Sequence, residues 1–154
     1  MGRLGRGAFG IVLLGKHKYS GIKVAIKVID KKVIQETFDV NGQVFDELEI
    51  MKEVSGNCPN VIELVESFED ENSYYCVTRY MAGGDLYKYI TTQPNQPLLE
   101  AEAKIIIKQV AIGLQALHRR NIIHRDIKLD NILVASKMEE TKVCIGDLGS
   151  AIKL

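Results

Sequence analysis

The sequence predicts an α+β fold in which strands come first and helices follow. Three observations carry that expectation. Runs rich in Val and Ile fill the first third and are separated by a turn signal. Residues 31–54 then change to a helical period. Beyond Gly83-Gly84 the pattern turns helical again, with a long helical segment at 99–119.

The runs "IVLLGKHKY" and "KVAIKVID" flank Ser20-Gly21 and read as a hairpin. Within 31–54, Phe45, Leu48, Met51 and Val54 fall three apart with Glu and Lys between them. That spacing is one face of a helix, which residues 57–59 end. "VIELVESFED" and "SYYCVTRYM" read as two more strands, joined at 69–73. Gly83-Gly84 is the candidate domain boundary, separating 1–82 from 83–154. Asp85 would cap a short helix, and Pro94 and Pro97 bracket a loop. In 99–119, Glu100 and Glu102 come early and Arg119-Arg120 late, which suits the helix dipole. The runs "ILVA" and "KVCIG" read as a hairpin across the polar "SKMEET".

The bulk numbers exclude several classes. With 154 residues, 46% apolar and 26% charged, the chain can fold and bury one core. Lys plus Arg number 20, as do Asp plus Glu, so net charge suggests neither a nucleic-acid surface nor an anchor to acidic lipid. A neutral chain can still carry a basic cleft. Cys58, Cys76 and Cys144 are odd in number and widely spaced, as in a reduced, intracellular and cytoplasmic protein. No secretory apolar region opens the chain, and no transmembrane helix is expected. The most apolar helical run, 105–117, is broken by Lys108, Gln109, Gly113 and Gln115.

Four groups of residues could carry chemistry. The first is Gly5-x-Gly7-x-x-Gly10-x-Val12, where bare backbone can approach phosphate oxygens. A glycine-rich hairpin turn explains it equally well on its own. A dinucleotide fold would open a helix after this motif, whereas "IVLLG" continues as strand. The second is Lys27, set among Ala25, Ile26, Val28 and Ile29, which calls for a partner or an exposed strand face. Glu47 is the preferred partner over Glu49, because Met51 lies one turn beyond it.

The third is "HRDIKLDN". Asp126 could accept or orient a hydroxyl proton, Lys128 could neutralise a phosphate, and the Asn131 oxygen could ligate Mg²⁺. The fourth is "GDLG", in which Asp147 is a second candidate metal ligand. Singly, each is more often a solvated loop residue. Their order along one chain is what gives them weight.

Taken together, these motifs resemble the eukaryotic protein kinases, from about Leu4 to Leu154. HRD-x-K resembles the serine/threonine type, and "AGGDLYKYI" with "PNVIELVESFED" resembles the calcium/calmodulin-dependent relatives. The resemblance implies a protein-kinase-like bilobal fold: a β-rich N-lobe over 1–82 with one regulatory helix, then the first part of a helical C-lobe. It implies ATP and Mg²⁺, a protein substrate with Ser or Thr, and neither nucleic acid nor a membrane segment.

The resemblance also assigns roles. Asp126 becomes the catalytic base, Lys128 contacts the γ-phosphate, and Asn131 and Asp147 bind Mg²⁺. Lys27 holds the α- and β-phosphates and pairs with Glu47, while Gly5, Gly7 and Gly10 cover the phosphates. Leu4, Val12 and Ala25 roof an adenine pocket floored by Leu133. Thr78 is the gatekeeper, Arg79, Tyr80 and Met81 form the hinge, and Asp85 reaches the ribose. Plain core packing would explain Val12, Ala25 and Leu133 as well. His124 would pack under Leu148, and Arg125 would meet an activation-loop phosphate.

Three departures stand out. Leu148 replaces the usual Phe and is expected to pack beneath the helix of Glu47. Arg79 replaces a common acid but acts through backbone. Gly146, after Cys144, is expected to leave a back pocket open or the loop mobile. The family domain also runs longer, so the chain is expected to be an N-terminal fragment, inactive alone, with one face of the 99–119 helix uncovered. The alternative is a kinase-like nucleotide-binding or scaffolding protein without activity.

Overall fold

The computed structural model describes residues 2–7, 10–36, 40–92, 98–135 and 141–154. Pro94, Pro97 and most of "SKMEET" lie outside them, as does the side chain of Phe45.

Five antiparallel strands open the chain: β1 (Arg3–Gly7), β2 (Gly10–Lys16), β3 (Lys23–Asp30), β4 (Leu64–Glu69) and β5 (Ser73–Arg79). Their order is β1-β2-β3-β5-β4. The expected β2–β3 hairpin forms, with Gly21 as its left-handed turn residue at φ 71, and the next two strands, β4 and β5, pair with each other. β1 takes in Gly5 and Gly7 of the glycine motif and pairs with β2, as a glycine-rich hairpin would.

Side chains alternate across a pleated sheet. Val12 stands opposite Lys27, Leu14 opposite Ala25, Lys27 opposite Cys76, and Ala25 opposite Thr78. These residues therefore share one face with Ile29. The other face carries Ile11, Leu13, Ile26, Val28, Tyr75 and Val77.

The helical stretch at 31–54 is two helices, α1 (Lys31–Glu36) and α2 (Val40–Val54). α2 turns Glu47, Ile50, Met51 and Val54 inward, the i, i+3, i+4, i+7 stripe of a helix lying on a sheet. The helix stops at Val54, the last residue of the expected stretch. Gly56 takes φ 72 just beyond, and Asn57 Nδ2 donates to the Glu53 carbonyl. Met51 Sδ lies 3.6 Å from Cys76 Sγ, which packs the helix on β5.

After β5 come β6 (Gly84–Asp85), α3 (Leu86–Thr91), α4 (Glu100–His118), β7 (Ile122–Ile123), β8 (Ile132–Val134), β9 (Val143–Ile145) and β10 (Ile152–Lys153). β6, β8 and β9 form a small sheet in that order, and β7 pairs with β10. Gly83 donates its N–H to the Val134 carbonyl, and a Cβ there would meet Val134 at 2.8 Å, so the position needs glycine.

One core runs from Ile50 and Met51 on α2 to Leu117, Ile145 and Leu148. Burying a side chain of this size contributes about 1.5–3 kcal/mol. On α4, Ile106, Gly113 and Leu117 face that core, whereas Ile105, Ile107 and Ile112 are exposed. No helix among the described residues is long and apolar enough to cross a membrane. All three cysteines are free.

Candidate functional site

Lys27 sits on β3, on the sheet face covered by α2. Its Nζ donates to both carboxylate oxygens of Glu47 at 2.8 Å. Glu47 is buried; Glu49 instead pairs with Lys52 at 2.8 Å on the exposed side of the helix. Burial alone would lower the Lys27 ammonium. The charge and hydrogen bonds of Glu47, with Asp147, outweigh it and lift the group above an ordinary lysine. Asp147 Oδ1 lies 3.9 Å from the same Nζ.

Asp147 adopts a left-handed conformation, φ 49, unusual for a non-glycine residue, and accepts from the Gly149 N–H at 3.4 Å. A Cβ on Gly149 would stand 3.2 Å from Asp147 Oδ1 and 3.3 Å from Glu47 Oε2, so glycine keeps room for both carboxylates.

The "HRDIKLDN" loop forms a second cluster. Lys128 Nζ lies 2.8 Å from Asp126 Oδ2. Asn131 Nδ2 donates to the Asp126 backbone and side-chain oxygens, each at 2.9 Å. Its nitrogen is thus engaged, which leaves the amide oxygen for a ligand. The hydrogen bond from Lys128, then that from Asn131, hold the Asp126 carboxyl below the usual carboxylate range.

Backbone joins the two clusters. The Gly146 N–H donates to the Asn131 carbonyl at 2.8 Å. Buried His124 bridges the same segments: its Nδ1 accepts from the Asp126 N–H at 3.3 Å and its Nε2 donates to the Gly146 carbonyl at 2.9 Å. The tautomer follows from those partners. Arg125, at φ 66, donates its Nε to the Ser150 carbonyl at 2.6 Å. Leu148 is fully buried in a 3₁₀ turn that packs on α2, as expected of an apolar substitute for Phe.

The residues matched to an adenine pocket fall on adjoining pieces. Gly5 stands opposite Val12 and Gly7 opposite Gly10, while Leu4 is more than a third exposed. Thr78 Oγ1 reaches the Ala25 carbonyl at 3.5 Å. Arg79 gives its N–H to the Glu63 carbonyl, and the Met81 carbonyl accepts from Gly84. Leu133 pairs with Asp85 on one side and Cys144 on the other.

One expectation changes. Gly146 does not leave open space: a Cβ there would meet Leu133 Cδ1 at 2.8 Å and Cγ at 3.1 Å, because Leu133 fills it. Asp85 caps α3 by accepting from the Lys88 N–H at 2.8 Å and also pairs with Lys88 Nζ at 2.9 Å, so its carboxylate already has local partners.

Sequence reasoning missed the supports of β9. Gln109 Nε2 donates to the Thr141 carbonyl at 2.7 Å, and its Oε1 accepts from the Val143 N–H at 3.0 Å. Asn60 Nδ2 donates to the Val143 carbonyl at 2.8 Å. The only signal in the sequence was the presence of amides, Gln109 among them, in otherwise apolar stretches.

A five-stranded sheet whose Lys meets a helix-borne Glu, set over an Asp–Lys–Asn loop and a left-handed Asp, defines a protein-kinase-like fold. The chain belongs to the protein kinase domain family, which it matches over residues 1–154. It is 39% identical to the serine/threonine-protein kinase ATG1a of Arabidopsis thaliana over 99% of the chain and 23% of that protein. It is 39% identical to calcium-dependent protein kinase 4 of Plasmodium berghei over 91% of the chain and 26% of that protein. With myosin light chain kinase A of Dictyostelium discoideum the identity is 38%, over 95% of the chain and 48% of the relative. The chain thus spans about a quarter to a half of these relatives' length.

Proposed function

We propose that this chain carries the ATP-binding and catalytic groups of a protein serine/threonine kinase, which transfers the γ-phosphoryl group of ATP to a protein hydroxyl. The single observation that supports this best is the unbroken series of contacts from Glu47 through Lys27 to Asp147, and from Gly146 through Asn131 to Asp126 and Lys128.

In this reading the substrate hydroxyl lies against Asp126. Its oxygen forms the new bond to the γ-phosphorus, the bond from that phosphorus to the bridging oxygen breaks, and ADP leaves. The hydroxyl proton passes to the Asp126 carboxylate, which is ionised and therefore able to accept it. Lys128 and Lys27 offset phosphate charge, and the backbone of Gly5, Gly7 and Gly10 lies over it. Leu4, Val12, Ala25, Thr78, the backbone of 79–81 and Leu133 would enclose adenine, with Asp85 towards the ribose.

Among the described residues, no three His, Cys, Asp or Glu gather around a metal position. Mg²⁺ needs no such cage: it takes one or two protein oxygens and completes its shell with phosphate and water. Asn131 and Asp147 supply oxygens of that kind. When bound, the ion would neutralise charge on the phosphates.

The proposal includes the division at 82/83, an intracellular setting, and a place as the N-terminal part of a longer catalytic domain that is inactive alone. The test has two parts. The chain should gain thermal stability with ATP and Mg²⁺, and Asp147→Asn should lose the Mg²⁺-dependent part. In a protein containing the whole domain, phosphate transfer to a basic protein should vanish with Asp126→Ala. Undiminished transfer by that variant would overturn the role given to Asp126.

A further inference from the structure

The charge of the chain is unevenly placed. All 20 acidic residues lie at or after Asp30, whereas Arg3, Arg6, Lys16, Lys18, Lys23 and Lys27 precede it. Lys27 is spent inside the cleft on Glu47. Lys16, Lys18 and Lys23 sit at the β2–β3 tip. Arg3 stands apart from them: it pairs with Leu13, midway along the β2–β3 ladder and on the other face of the sheet from Lys16 and Lys23. All four are exposed, and among the described residues none of them forms an ion pair. Lys16 and Lys23 stand directly opposite each other in register. Like charges at such a position destabilise a sheet, and among the described residues no carboxylate pairs with either lysine.

The tip also carries two apolar side chains that fold stability does not explain. Tyr19 is 95% exposed and Ile22 64%. The turn that presents them is braced. His17 N–H donates to the Ile22 carbonyl at 2.8 Å, Gly21 N–H to the His17 carbonyl at 2.9 Å, and the His17 ring bonds the Ser20 hydroxyl at 2.8 Å.

We propose that the β2–β3 tip docks on an anionic phospholipid surface, with Lys16, Lys18 and Lys23 facing the headgroups and Tyr19 and Ile22 entering the interface. Charge complementarity names an anionic partner, and shape selects among them. A tight hairpin end is convex and offers no groove for an acidic peptide. A tyrosine and an isoleucine flanked by lysines suit the boundary between headgroups and acyl chains. Attraction of a few basic residues is reversible and screened within about 10 Å at ordinary salt, so the contact is weak and salt-sensitive.

The test is co-sedimentation of the 154-residue chain with vesicles of phosphatidylcholine, with and without phosphatidylserine. Binding should require phosphatidylserine and fall as salt rises. Each of Lys16→Ala, Lys18→Ala and Lys23→Ala should weaken it about fivefold, and the triple variant roughly a hundredfold. Tyr19→Ser with Ile22→Ser should weaken it while leaving the salt dependence in place. Lys16→Glu should raise the melting temperature by about 1–4 °C while reducing binding, because it relieves the pair with Lys23. Equal binding to pure phosphatidylcholine, no binding at low salt, or an unaffected triple variant would overturn the proposal. So would tighter binding to polyglutamate or RNA than to the vesicles, which would assign the tip to another anion.

Discussion

Replacing Glu47 with Gln keeps the size of the side chain and removes its charge. The perturbation isolates the ion pair, because Lys27 Nζ reaches both oxygens of Glu47 at 2.8 Å. At that distance and an effective dielectric of about 20, the attraction is about 6 kcal/mol. Desolvation of two ions takes back several kcal/mol, leaving a coupling of about 2 kcal/mol. The single variant should lose more than the coupling, about 3 kcal/mol, because it leaves a part-buried ammonium with only Asp147, 3.9 Å away.

Urea unfolding of the chain, Lys27→Met, Glu47→Gln and the double variant completes a cycle that reads the coupling directly. The sign with pH is fixed as well. Lys27 is raised in the folded state, so its contribution is complete below the ordinary value of 10.5 and is lost as pH climbs through the higher folded one. The wild-type chain should therefore lose this stability in alkali, and Lys27→Met should not. A cycle that closes to within about 0.5 kcal/mol would refute the reasoning, since contact without coupling means the pair is solvated.

Asp126 is held ionised by Lys128 and Asn131, so any acid limb of transfer assigned to it should lie below 3.8, and Lys128→Met should raise that limb in a pH–rate profile of the whole domain. Gly146→Ala should cost about 1–3 kcal/mol in urea unfolding, with partial recovery when Leu133 is trimmed to Val, because Leu133 is what the new methyl meets. Gly113→Ala tests competing terms: Ala favours an exposed helix by about 1 kcal/mol, yet here its Cβ would stand 2.5 Å from the Asn60 carbonyl. That oxygen is backbone and accepts from Ile145 at 2.8 Å, so the clash should win, with a net loss of about 1–3 kcal/mol.

Much of the fold was legible because it rests on short-range pattern. β2, β3, β5 and α4 follow their apolar periodicities closely, and Asp85 caps α3 as its type suggests. The partnership of Lys27 with Glu47 could be read because a lysine among β-branched residues needs a counter-charge and the helical stripe fixes which Glu is buried. β1, β6, β7 and β10 were not visible. They run from two to five residues, and pairing with a distant strand makes them extended rather than their own composition. The fit of Leu133 against Gly146 was hidden for the same reason: the sequence shows a missing side chain but not the neighbour that fills its place.

Among the described residues, three that are not glycine hold left-handed backbone: Asn121, Arg125 and Asp147. Such a conformation costs about 1 kcal/mol or more at each position, which glycine would return. A screen for heat resistance alone would thus drift towards glycine at all three. At Asn121 the drift would be harmless. At Arg125 and Asp147 it would discard a guanidinium and a carboxylate, so for this chain the hardiest variants and the most competent ones should part company at those two positions.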